Sequence, residues 1–310
     1  MKLPLPCLLA ASLLALAACD SSPPPGASTG GGPGPGHNPQ IYTTFYPTQY
    51  FAERIAGDTA EVICPVPPDE DAIFWQPDAE AIAAYQNADL IVLNGAGFAQ
   101  WVGTVSLPES KVVDTAAPFS DRFIYYEEAV THSHGAAGEH SHAGLDGHTW
   151  VDPINAKIQA AEIEKALAQR FPKNADLYAQ NLAALEADLD ALDATLKEYQ
   201  TGRGDVPLLA SHPAYNYIAE RYGWNLTSLD LDPEEMPDDE QFAEIKSLLD
   251  EFPARHIIWE GAPTEAIANR FESELGLSSI VFSPAELYDG TDYLTVMQEN
   301  VARLRHVFEP

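Results

Sequence analysis

Basic side chains are scarce in this 310-residue chain: 16 Lys and Arg stand against 47 Asp and Glu, a formal charge of −31. So acidic a surface repels phosphate backbones and anionic lipid, which excludes a nucleic-acid binder and a membrane-surface binder, while it concentrates cations nearby. A plain solvated surface suited to a salty habitat has the same balance. Cysteine is nearly absent, with only Cys7, Cys19 and Cys64. The first two belong to the N-terminal segment treated below, which leaves Cys64 without a partner for an intrachain disulfide. In the apolar run EVICPVP it reads as a small buried hydrophobe, with a lone thiolate metal ligand as the alternative. After residue 18, no apolar run reaches the roughly 18 residues that a membrane-spanning helix needs. Common catalytic signatures are missing too. HExxH and GxSxG do not occur, and NGAGFAQ fails as a dinucleotide fingerprint because Gln100 stands where the third glycine should be.

The N-terminus MKLPLPCLLAASLLALAAC is an export signal, and Leu16-Ala17-Ala18-Cys19 has the form of a lipobox. Residues 1–18 are therefore expected to be removed and Cys19 lipidated, with ordinary signal cleavage as the alternative. The Pro/Gly/Ser-rich stretch 19–39 cannot bury enough surface to offset its ordering entropy and reads as a flexible tether. This predicts a periplasmic or other extracytoplasmic protein, lipid-anchored to the cell membrane and touching it only through that anchor.

From residue 40, short apolar runs alternate with helical stretches. IYTTF (41–45), EVICPV (61–66), ADLIVLN (88–94) and KVVD (111–114) read as strands, with helices at 48–56, 78–86 and 98–105. A second set follows: strands at 207–211, 226–231, 256–260 and 279–283, with helices at 214–222, 238–252, 264–275 and 291–307. Between them lies a helix at 155–171. Beyond Pro172, the stripe Tyr178, Leu182, Leu185, Leu189, Leu192, Leu196, Tyr199 keeps a 4-3-4-3 spacing, ended by Gly202 and Gly204. A coiled coil would fit that stripe, but flanking α/β units favour an intramolecular brace. The expected fold is α/β: two lobes, each a parallel sheet with flanking helices, joined by a long rigid helix. The boundaries are 40–154 for the N-terminal lobe, 155–202 for the connecting helices and 203–310 for the C-terminal lobe.

Five of the nine histidines fall between residues 132 and 148, in HSHGAAGEHSHAGLDGH. Imidazole is the commonest side-chain ligand for divalent transition metals near neutral pH, so this density points to metal handling. His148, in GHTWVDP, stands just before a helix and beside Trp150 and Pro153, which stiffen that segment. His212 follows the strand LLAS and so lies at a carboxyl strand end, where ligands of parallel sheets bind. His132, His134, His140 and His142 form two HSH pairs among Gly, Ala and Glu and read as a mobile metal-collecting loop, within a His-rich segment 132–148. Zinc takes four ligands, so two histidines need carboxylates or water. Glu260 and Glu286 are the first candidates, with Asp230 and Asp232 behind them.

With GHTWVDP after a His-rich acidic loop, ADLIVLNGAGFAQW, SHPAYNYIAERYGW and the closing DYLTVMQENVARL, the chain resembles the zinc/manganese-type solute-binding proteins of bacterial ABC importers over nearly all of residues 40 to 308. The resemblance implies two α/β lobes joined by a rigid helix, metal in the cleft between them, and delivery to a membrane permease. His148 and His212 match two of that family's metal ligands. A third, the histidine of an Asp-Pro-His-x-x-x-Pro segment, falls on Ile73, and the last ligand aligns near Ser283. Glu286 stands three residues on as a replacement, while Asp69, Glu70 and Asp71 lie near the lost histidine. The expected protein is a monomeric, non-enzymatic carrier that captures a divalent metal ion, zinc first, and hands it to an ABC importer permease. Alternatives are a copper or chelated cargo near Phe74, Trp75 and Trp150, a periplasmic metal buffer, and a metal-dependent hydrolase.

Overall fold

The structure, a computed structural model, describes residues 38–308 apart from 69, 127–129, 134–138, 143 and 204. The export signal, Cys19 and nearly all of the tether lie outside the described residues. Four short strands, β1 (Gln40–Thr43), β2 (Glu61–Ile63), β3 (Leu90–Leu93) and β4 (Val112–Asp114), form an all-parallel sheet in the order β2-β1-β3-β4. Helices α1 (Tyr46–Ala56) and α2 (Ala79–Asn87) make crossovers within it. A second parallel sheet contains β7 (Pro207–Ala210), β8 (Asn225–Ser228), β9 (His256–Trp259) and β10 (Ser278–Val281), in the order β10-β9-β7-β8. Counted from its own first strand, this is the winding of the first sheet. Helices α5 (Asn216–Tyr222), α6 (Asp239–Glu251), α7 (Glu265–Arg270) and α8 (Tyr293–Phe308) accompany it.

The strands alternate between two apolar environments, as the two-residue period of a strand requires. Ile41, Leu90, Val92, Leu208, Ala210, Ile258 and Ile280 all enter one large core, so the inner faces of both sheets share it. The outer faces keep separate clusters: Ile91 packs with Tyr85 and Trp101, and Leu209, Ile257 and Trp259 pack with Phe242 and Phe271. The two lobes are connected not by one helix but by two, α3 (Pro153–Arg170) and α4 (Ala175–Arg203), folded back on each other at Pro172–Asn174. The 4-3-4-3 stripe is the buried edge of α4, with Tyr178, Leu185, Leu189, Leu192, Leu196 and Tyr199 inside the shared core. The brace is therefore intramolecular. It runs past Gly202 to Arg203.

Two other expectations need correction. The helix expected at 98–105 is only a short 3-10 turn, Gln100–Thr104. Gly95, Ala96 and Gly97 all have positive φ, and that left-handed run keeps a helix from starting earlier. Val102 and Thr104, both β-branched, do little to extend it. The His-rich segment is not a loose loop throughout. β5 (Val130–Ser133) and β6 (Glu139–His142) pair antiparallel, with His132 opposite His140 and His142 opposite Val130. Alternation in HSH has the period of a strand, and Val130-Thr131 supply β-branched residues. His134 lies outside the described residues. The ribbon continues inward through the Tyr125–Leu145 bridge to the Asp146 N–H, which donates to the Ile124 carbonyl. No described helix is long and apolar enough to cross a membrane.

Candidate metal centre

His148 is almost fully buried at the inner end of the histidine ribbon. Asp146 Oδ1 accepts both the His148 backbone N–H, at 2.9 Å, and the imidazole Nδ1–H, at 2.8 Å. On the other side, Asn94, at the end of β3, donates its amide to the Gly147 carbonyl at 2.9 Å, and Gln159 of α3 in turn donates to Asn94 Oδ1 at 2.8 Å. A Cβ at Gly147 would meet the Phe98 ring at 3.0 Å, so glycine is required there. Trp150 closes the segment: its indole N–H donates to the Pro284 carbonyl at 2.7 Å, and its own carbonyl accepts from the Tyr293 hydroxyl at 2.8 Å. NGAGF and GHTWVDP thus form one support that leaves His148 Nε2 facing the interior.

His212, also buried, follows β7, and its ring centroid lies 5.7 Å from that of His148 with the planes at 79°. The structure therefore brings together two histidines 64 residues apart in the chain. Glu286 joins them, with Oε1 3.3 Å from His148 Nε2. Its backbone is tightly specified. The Phe282 carbonyl accepts from Tyr215 OH at 2.7 Å, and the Asn300 amide donates to the Ser283 carbonyl at 2.7 Å. Ala285 adopts φ 59°, a left-handed conformation that a non-glycine residue keeps only where its surroundings impose it. Glu260, just past the end of β9, shares its electrostatic field with Glu286, His148, Asp232 and Asp71.

The distance between His148 and Glu286 is informative. A tetrahedral zinc ion with bonds of about 2.1 Å holds its ligand atoms about 3.4 Å apart. The observed 3.3 Å is one such edge. Without metal, a proton occupies that gap. Burial would lower the pKa of His148, but the hydrogen bonds to Asp146 and Glu286 outweigh it and push the value up to about 10. Glu260 is pushed up to about 8 by burial and by the neighbouring charge of Glu286.

Ile73 is buried in the shared core and offers no donor. The Ser283 hydroxyl accepts the Ala285 backbone N–H at 3.1 Å. Asp71 Oδ1 accepts the Ile73 backbone N–H at 2.8 Å, Asp232 Oδ1 accepts that of Glu234 at 2.6 Å, and Asp69 lies outside the described residues. Among the described residues, no three His, Cys, Asp or Glu groups already converge as a metal-holding cluster. His148, His212 and Glu286 supply two sides of a centre that must contract around its ion. Cys64 is half-buried, and burial raises its thiol pKa. Sequence reasoning missed Asp146, Asn94 and Asn300. Only Asp146 carried a signal, as an acid two residues before a candidate ligand.

The profile of the family described as zinc-uptake complex component A, periplasmic, matches residues 41–307. Among individual proteins, the chain is 28% identical over 276 residues to the zinc-binding lipoprotein AdcA of Streptococcus pneumoniae, covering 86% of this chain but 55% of that protein. It is 27% identical over 317 residues to the high-affinity zinc uptake system protein ZnuA of Bacillus subtilis, covering 96% and 95%. The chain thus spans little more than half the length of the AdcA relatives it matches. Among solved structures, zinc(II)-bound AdcA from S. pneumoniae superposes with a TM-score of 0.74 at 25% identity, over 88% of this chain and 58% of that one. The metal-dependent lipoprotein YcdH from B. subtilis gives 0.74 at 23% identity, over 87% and 98%, and there the likeness is one of fold.

Proposed function

The chain belongs to the zinc-uptake complex component A family, and from that premise we propose that it captures zinc between its two lobes outside the cytoplasm and delivers it to the permease of an ABC importer. The observation that carries this reading is the 3.3 Å edge between His148 Nε2 and Glu286 Oε1, with His212 beside it. His148, His212 and Glu286 are the proposed ligands, and Glu260 or water completes the four. Ile73 leaves the position of the remaining histidine to carboxylate or solvent, which makes the donor set richer in oxygen. The histidine ribbon, with His132, His134, His140 and His142, is the proposed collecting element, since its inner end runs straight into Asp146 and His148. Lipidation at Cys19 and the tether would hold the carrier near its permease as a monomer.

Metal content after dialysis of the purified protein tests the assignment. Wild type is expected to retain one tightly held zinc, and the His148→Ala plus His212→Ala double variant none. A double variant that keeps the tight zinc would rule out this site.

A further inference from the structure

Asp146 is a fully buried carboxylate that touches both histidine-bearing segments. Its Oδ1 takes the imidazole Nδ1–H of His148 at 2.8 Å, and its Oδ2 takes the side-chain amide of Asn216 at 2.9 Å. Its carbonyl accepts the Tyr217 hydroxyl at 2.9 Å. Asn216 and Tyr217 open α5, four and five residues after His212. The Asn216 amide also reaches the Pro213 carbonyl at 3.3 Å, immediately after that histidine. An ionised carboxylate only accepts, so Nδ1 must carry the proton and Nε2, the nitrogen facing Glu286, is left for a cation. Loop support alone does not need this charge, because Asn94 and Trp150 already hold the same segment from its other side.

We propose that Asp146 is the positioning residue of the centre: it presents His148 through Nε2 and, by way of Asn216, fixes that imidazole relative to the segment carrying His212. This rests on the zinc-site reading above. One carboxylate thereby sets both the tautomer of one ligand and its spacing from the other across the two lobes.

The test is zinc affinity by competition with a chromophoric chelator, using the full chain as wild type, Asp146→Asn, Asn216→Ala and the His148→Ala plus His212→Ala pair. Asp146→Asn should weaken zinc by roughly 10- to 100-fold, the effect typical of losing the partner behind a ligating histidine. Asn216→Ala should weaken it less. Long-range proton–nitrogen NMR of the zinc-loaded protein should show His148 bound through Nε2, with its Nδ1–H signal shifted in Asp146→Asn and unshifted in Asn216→Ala. Lower thermal stability with unchanged affinity and unchanged His148 signals would overturn the proposal, because it would make Asp146 merely structural. That result, together with loss of zinc from the double histidine variant, would leave the site standing without its positioning residue. Retention of tight zinc by the double variant would instead remove the site itself.

Discussion

A proton and a zinc ion compete for the same position between His148 and Glu286. His148, ordinarily near 6.5, is held up to about 10, and Glu260, ordinarily near 4.5, is held up to about 8. A raised folded pKa stabilises the fold below the ordinary value and ceases to do so as pH climbs through the raised one. The metal-free protein should therefore lose stability from pH 6.5 upward, as first Glu260 and then His148 give up protons. Zinc replaces those protons, so the rise in melting temperature on adding zinc should grow between pH 6.5 and 8. Differential scanning calorimetry reads this directly, and a zinc effect that shrinks with rising pH would contradict the shared-gap geometry. His148 and His212 were legible in the sequence because a rigid aromatic segment and a strand end mark them. Asp146 was not, because its role depends on Asn216 arriving from 70 residues away, and no local pattern encodes that.

Among elements, the junction between α3 and α5 is the most sharply specified. Asp152 caps α3 by accepting the Ile154 backbone N–H at 2.9 Å and receives the Arg221 guanidinium at 2.6 Å. Asp152 is buried, and burial raises its pKa against the pull of Arg221, so removing the arginine strands an acid in the interior. Arg221→Ala should cost about 3–5 kcal/mol, the range for breaking one side of a buried ion pair. Urea unfolding of the metal-free protein measures this, and a loss near zero would show that water already reaches Asp152. Helix α4 could be read from the spacing of its leucines, because a long amphipathic stripe is a strong signal. The ribbon β5–β6 was hidden by composition: Gly, Ala and His suggest a loop, whereas the deciding contribution is cross-strand pairing. The turn at 100–104 was over-read because Trp101 and Val102 look like a buried helix face, while Gly95 and Gly97 block its first turn.

Across the whole molecule, the inner faces of both sheets, α1, α3, α4 and α8 share one core. Lobes with separate cores melt separately, but these cannot, because either one alone would leave half of that core exposed. Calorimetry of the metal-free protein should give a single transition with matching calorimetric and van't Hoff enthalpies, and two resolved peaks would contradict a shared core. The α/β class was legible from alternating runs of strand and helix, but the common core was not, since a sequence does not say which apolar faces meet. Residues 40–114 and 207–281 span the same length of chain and are wound in the same strand order. Such a molecule is built from one template used twice. All that distinguishes the two walls of the cleft was therefore added after the strands: a histidine ribbon behind one, an alanine in a left-handed turn beside the other. Changes of cargo in this lineage can be made in those additions while the repeated frame stays as it is.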